Sequence, residues 1–190
     1  MELLETERLI LRSWNRSDYL DLFEYASDNR VGPNAGWPIH KNEEESKEII
    51  EKFIENNDSY AIVLKSESKV IGGIGMHKRI PDEKLKHLNQ REIGYVLNPK
   101  YWGNEYIPEA VRFLLKYGFD KMNLDLIWCN HYNFNFKSKR VIEKCGFNYK
   151  FNREISVELL NNKLVNELFY NILKNEYYSD LNKNRRTLWE

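Results

Sequence analysis

Two cysteines, five prolines and nine glycines are all that the 190 residues contain of those types. Cys129 and Cys145 cannot make a disulfide framework, and in a reducing compartment they read as two small core residues. A surplus of charge is also missing. Lys and Arg total 29 and Asp and Glu total 29, so no global field gathers a polyanion or an anionic membrane, and neither nucleic acid nor a membrane is expected as a partner. No stretch approaches the ~20 apolar residues of a membrane span, and MELLETERL lacks the basic and apolar regions of a secretory signal. A cytoplasmic protein is expected. Hydrophobic side chains, at 42%, and aromatic ones, at 14%, are plentiful enough to fill one substantial core. One domain over residues 1–178 and a polar, frayed tail over 179–190 follow from this, with Lys183, Arg185 and Arg186 as the tail's only basic cluster.

Local patterns give the elements. TERLILR (6–12) alternates as a strand, and Asn15 or Ser17 caps a helix whose spaced apolar positions are Leu20, Phe23 and Ala26, with Leu22 beside them. VGPNAGWP (31–38) breaks that pattern and is expected to be loop. Asn42 with Glu45 three residues later opens a second helix whose apolar face is Ile49, Ile50, Phe53 and Ile54. SYAIVLK (59–65) and KVIGGIGM (69–76) form a hairpin. RIPDEKLKHLNQ (79–90) is a long polar loop, either disordered or folded over a site, and REIGYVLNP (91–99) is the next strand. From Ile107 to Met122 runs the clearest amphipathic helix in the chain, followed by a strand, LDLIWCNH (124–131), and a short helix, NFKSKRVIEKCGF (135–147), capped by Asn135 and stopped by Gly146. Two last strands, near 151–160 and 163–173, meet at Asn161-Asn162.

The chemistry should sit where the strand ending in Asn98-Pro99 passes through Trp102-Gly103 into the long helix. There the unpaired N–H groups of a helix start face the strand end and can hold an anion, with Pro108 tolerated in the first turn. A turn that needs glycine only for steric reasons reads the same way. Pro99 cannot donate to a ladder, so pairing is expected to lapse there and to leave the peptides of Tyr95, Val96 and Leu97 free for an extended ligand. Cys129 and His131 share a strand face, but two ligands do not make a metal centre, and none is expected. His77, Tyr25, Trp37 and Tyr95 border an acceptor pocket or simply belong to the core.

Residues 91–147 resemble the cofactor-binding half of the GNAT N-acetyltransferases, and TERLILR with NPKYWGNEYIPEA is similar to their RimJ/RimL-like branch. The family's pyrophosphate loop, Arg/Gln-x-x-Gly-x-Gly/Ala, falls on Lys100, Tyr101, Trp102, Gly103, Asn104 and Glu105. Its second motif falls on Asn135, Ser138, Glu143, Lys144, Gly146 and Phe147 without a gap. The resemblance implies an α/β (α+β) fold, with a mixed, mainly antiparallel sheet, a splayed strand pair and helices on both faces. It further implies acetyl-CoA as co-substrate without a metal, held by residues 95–97, Lys100, the 102–107 turn including Tyr106 and Ile107, Asn135 and Ser138. The implied reaction is direct transfer to a primary amine, either a peptide or protein N-terminus or a small molecule. Glu92 is then the general base, and the N–H of Val96 or Leu97 meets the oxyanion. Seven residues after Asn135, where many members carry a tyrosine, stands Ile142; the resemblance to the RimL-like pattern implies Ser138, one helical turn after Asn135, as the hydrogen-bond donor to the departing thiolate. Glu105 departs from the loop pattern, and with it comes the alternative of a catalytically silent acyl-CoA sensor.

Overall fold

The computed structural model describes residues 1–186 and the side chains of residues 1–181. In chain order it contains β1 (Leu4–Glu5), β2 (Leu9–Arg12), α1 (Tyr19–Ala26), α2 (Gly32–Ala35), α3 (Glu43–Asn56), β3 (Ser59–Leu64) and β4 (Lys69–His77). Then follow β5 (Gln90–Leu97), α4 (Tyr106–Asp120), β6 (Leu126–Tyr132), α5 (Phe136–Lys144), β7 (Asn148–Val157), β8 (Lys163–Leu173) and α6 (Lys174–Arg186). The strands make one sheet in the order β1-β2-β3-β4-β5-β6-β8-β7, antiparallel throughout except for the parallel pair β5–β6.

Period-two alternation divides the apolar side chains between two faces. Ile62, Leu64 and Ile71 meet the buried stripe of α4, which runs through Ile107, Val111, Leu114, Leu115 and Phe119. Ala61, Val63 and Val70 face the other way, onto Leu22, Tyr25 and Ala26 of α1 and Ile50 of α3. Each fully buried leucine or phenylalanine contributes roughly 1.5–3 kcal/mol. The helical start at α3 is held as expected: Asn42 Oδ1 accepts the Glu45 N–H at 3.0 Å, while Glu45 itself reaches one residue further back, to the Lys41 N–H at 2.8 Å.

Several boundaries differ from the sequence expectation, each for a local reason. Segment 31–38 is not all loop: Gly32–Ala35 makes one helical turn, closed by Gly36 at φ 90°. A 3-10 turn, Arg16–Asp18, precedes α1 and shifts its phase, so Leu22, Tyr25 and Ala26 go inward and Leu20 is left 54% exposed. Residues 79–90 are ordered around a 3-10 turn, Glu83–Leu85, because Leu85 and Leu88 pack onto Trp128 and Phe169. The strand expected at 151–160 starts earlier and stops at Val157, giving way to a 3-10 turn (Glu158–Leu160); Asn161 and Asn162 then both adopt left-handed φ, 57° and 58°. α6 runs from Lys174 to Arg186, and near its start Tyr177 packs its ring 5.0 Å from that of Phe119. Residues 187–190 and the side chains of Lys183, Arg185 and Arg186 lie outside the described residues.

The site is prepared by a divergence in the middle of the sheet. β5 pairs with β6 only from Gln90↔Leu126 to Ile93↔Cys129. Beyond that β6 stays with β8 as far as Tyr132↔Glu167, whereas β5 stays with β4 as far as Gly72↔Leu97. Pro99 is not the cause. The strands part at Gly94, five residues earlier, and Asn98 still donates its N–H to Ile71 O at 2.8 Å.

Candidate active site

Where β5 and β6 part, a cleft of about 800 Å³ passes through the sheet. Antiparallel strands turn alternate peptides to opposite edges. Because the Asn98 N–H points at β4, the same alternation sends Val96 and Gly94 toward β4 and turns Tyr95 and Leu97 into the gap. Val96 was expected among the free peptides; its register does not allow it. The Leu97 carbonyl is met by Trp102 Nε1 at 2.9 Å, which leaves the Leu97 N–H and the Tyr95 peptide along the cleft.

At one end of the gap lies the start of α4. Gly103 has φ 84° with open space where a side chain would be, and the α4 start has no side-chain cap, so its first N–H groups are available. Those features fit a diphosphate, and the free edge of β5 fits an extended amide-bearing arm. Glu105 sits in the left-handed region at φ 64°, a conformation that explains why glycine suits this position. Its carboxylate leaves the turn and pairs with Lys144 Nζ at 2.5 Å, at the end of α5; that pairing holds its pKa below the usual carboxylate range. Two expected ligands turn elsewhere. Lys100 Nζ is taken by Glu24 at 2.7 Å, toward α1, and the Asn104 side chain bonds back to Tyr101 O at 3.1 Å.

On the α5 side, Tyr95 extends its hydroxyl to within 2.9 Å of Ser138 Oγ and 3.2 Å of Ser138 O. Burial pushes this phenol well above its ordinary pKa. Asn135 is committed twice: its Oδ1 accepts the Ser138 N–H at 3.1 Å, and its Nδ2 donates to Asn34 O at 3.1 Å, which ties α5 to α2.

The opposite face carries charge. Glu92, 6% exposed, is the third residue of β5. Its Oε1 accepts from Arg79 Nη1 at 3.0 Å, and Oε2 is buried without a partner. The same guanidinium grips Glu167, 2% exposed, through Nη1 and Nη2, both at 3.0 Å. Desolvation raises the Glu92 pKa, with Arg79 pulling it back in part, and the paired carboxylates keep Arg79 protonated.

The profile of the acetyltransferase (GNAT) domain matches residues 8–148, which span both walls of this cleft. The chain belongs to the GNAT acetyltransferase family. It is 31% identical over 144 residues, 75% of this chain and 81% of the relative, to the uncharacterized N-acetyltransferase YnaD of Bacillus subtilis (strain 168). Among solved structures, the GNAT-family acetyltransferase from Bacillus anthracis superposes with a TM-score of 0.81 at 29% identity, covering 92% of this chain and all (100%) of that one. The Microcin C7 self immunity acetyltransferase MccE, in complex with acetyl-CoA and AMP, shares the fold with a TM-score of 0.72 at 19% identity over 88% of this chain and 93% of its own.

Other polar residues of this GNAT domain have structural partners. His131 donates Nδ1–H to Tyr132 O at 2.8 Å, so its Nε2 accepts from the Tyr170 hydroxyl at 3.1 Å, and Cys129 is packed in the core. Among the described residues no group of three or more His, Cys, Asp or Glu is placed to hold a metal. His77 pairs with Asp58 at 2.8 Å, its ring lying where a Cβ on Gly75 would be. Tyr25 belongs to the core under α1, Trp37 packs against Gly32 outside the cleft lining, and Tyr95 alone of the three aromatics borders the cleft. Sequence reasoning missed Arg79 and Glu167. Glu167 had a signal: it shares the inward phase of β8 with Val165 and Phe169, where a carboxylate needs a buried partner.

Glu105 gives a test of the turn. Glu105→Gly removes a carboxylate from the turn that fits a diphosphate, releases Lys144 from its pair and relaxes the left-handed backbone. Acetyl-CoA binding, followed by calorimetry, should tighten several-fold at low salt, with the gain shrinking as salt rises. A gain independent of salt would assign the whole effect to the backbone.

Proposed function

We propose that the protein transfers the acetyl group of acetyl-CoA directly to a primary amine, a peptide or protein N-terminus or a small molecule. One observation carries this reading: the unpaired edge of β5 runs from an uncapped helix start to a buried carboxylate with a free oxygen. The thioester supplies the activated acetyl group. The α4 start and the β5 edge bind its diphosphate and amide-bearing arm, and the Leu97 N–H lies along the cleft to meet the carbonyl oxygen. Glu92 takes a proton from the acceptor ammonium through Oε2. As the new N–C bond forms the C–S bond breaks, nitrogen loses its second proton to solvent, the Tyr95–Ser138 pair relays a proton from solvent to the departing sulfur, and Glu92 returns its proton to solvent after transfer.

Thiol release from acetyl-CoA, followed over a panel of amines, is the test. Amine-dependent release above hydrolysis is expected, with acetylated amine found by mass spectrometry in equal amount. Acetyl-CoA binding without turnover on any amine would instead establish a sensor.

A further inference from the structure

The charge count at the acceptor side of the cleft is unequal. Glu92 and Glu167 contribute two negative charges, Arg79 returns one positive, and both carboxylates are almost wholly buried. Both terminal nitrogens of Arg79 are spent on these carboxylates. The other cations around the cleft are held elsewhere: Arg30 is forked to Asp28, with its shortest contact at 2.6 Å, Lys137 lies over the Trp102 ring, 3.4 Å from its centroid, and Lys144 pairs with Glu105 at 2.5 Å, while Arg140 belongs to α5 and Arg153, opposite Glu167 on β7, donates to Pro81 O at 2.8 Å. Glu92 Oε2 meanwhile has no partner within hydrogen-bond distance, with the Asn130 side chain near this carboxylate, although a buried carboxylate oxygen is expensive to leave unbonded.

From this we infer that the Glu92–Arg79–Glu167 cluster sets acceptor choice, selecting amines with no carboxylate beside the nitrogen. Peptide N-termini and amino amides fit; free amino acids do not. The inference rests on the acetyltransferase reading above and narrows its acceptor class. An entering ammonium gives Glu92 Oε2 its missing partner and brings the cluster to neutrality. A zwitterionic amino acid delivers the same ammonium together with a carboxylate, which leaves the buried site negatively charged and places a third carboxylate near the first two. In a site of low effective dielectric that repulsion is felt over several ångströms. Glu167 does not touch the reacting atoms in this scheme. It is a specificity residue, and it also holds Arg79 in the position that leaves Oε2 of Glu92 free.

The test compares matched pairs that differ only in the carboxyl group, such as alaninamide with alanine and lysinamide with lysine. Thiol release should give kcat/KM at least about tenfold higher for each amide, a difference of about 1.4 kcal/mol. Glu167→Gln removes one charge from the cluster and should shrink that ratio toward one, because free acids gain while amides do not. Equal or better use of the free acids by the unaltered protein overturns the inference and leaves acetyl transfer standing. If no amine is acetylated, the transferase reading fails. Calorimetric binding of the same pairs to the CoA-bound protein then decides the inference: a tenfold preference for the amide supports it, and equal affinity overturns it. The comparison in the unaltered protein does not depend on whether Glu167→Gln folds.

Discussion

Replacing Glu92 by glutamine is expected to lower kcat for acetyl transfer by about 10²- to 10³-fold without changing acetyl-CoA affinity. The amide oxygen of glutamine can still accept from Arg79 Nη1, so the 3.0 Å contact and the packing survive while the proton acceptor is lost. The pH dependence separates this from a structural effect. In the unaltered protein kcat/KM should rise with pH as Glu92 ionises, and burial should place that rise above the usual carboxylate value of 4.5. Glu92→Gln should lose this limb. A variant that keeps the original rate and the original pH profile would remove Glu92 from the mechanism.

Stability supplies an independent sign. With its folded pKa raised, Glu92 makes a contribution to stability that is fully present below the unfolded value near 4.5 and is lost as pH rises through the folded value. The carboxylate is therefore a burden near neutrality, as expected of a group held for chemistry. Thermal melts should show Glu92→Gln gaining on the unaltered protein between pH 4 and pH 7. A buried ion pair optimised for stability would give the opposite trend.

The parts of the fold that could be read in the sequence are those with a local period. α4, the β3–β4 hairpin and the Asn161-Asn162 turn each carry their pattern within a few residues. Leu20 was misassigned because the 3-10 turn before α1 shifts the helix phase, and no apolar spacing records such a shift. The cleft itself was legible, but its cause was not. Pro99 marked the end of β5, whereas the strands part where β6 follows β8, a choice made by residues on three separate segments. Lys100 looked like a phosphate ligand by position, yet Glu24, far away in sequence, captures it. The Arg79–Glu167 pair joins the segment after β4 to β8, and ion pairs of that range leave no periodic trace.

Ser138→Ala and Tyr95→Phe should each lower kcat by about 10-fold to 10²-fold, and the double variant should be no worse than about the poorer single one, because groups that act as a unit are not additive. The two hydroxyls lie 2.9 Å apart on the cleft wall, so removing either should interrupt the same proposed path to the sulfur. Tyr95 stays protonated across the working range, since burial pushes its pKa far upward, and it can only donate or relay. The competing view makes Ser138 a support for the start of α5. Asn135 already accepts the Ser138 N–H there at 3.1 Å, so the serine hydroxyl is not needed as a cap. Melting temperature should therefore hold in Ser138→Ala while kcat falls. Losses that multiply in the double variant would show two separate roles, and an unchanged kcat with a lower melting temperature would reduce the pair to a strut between β5 and α5.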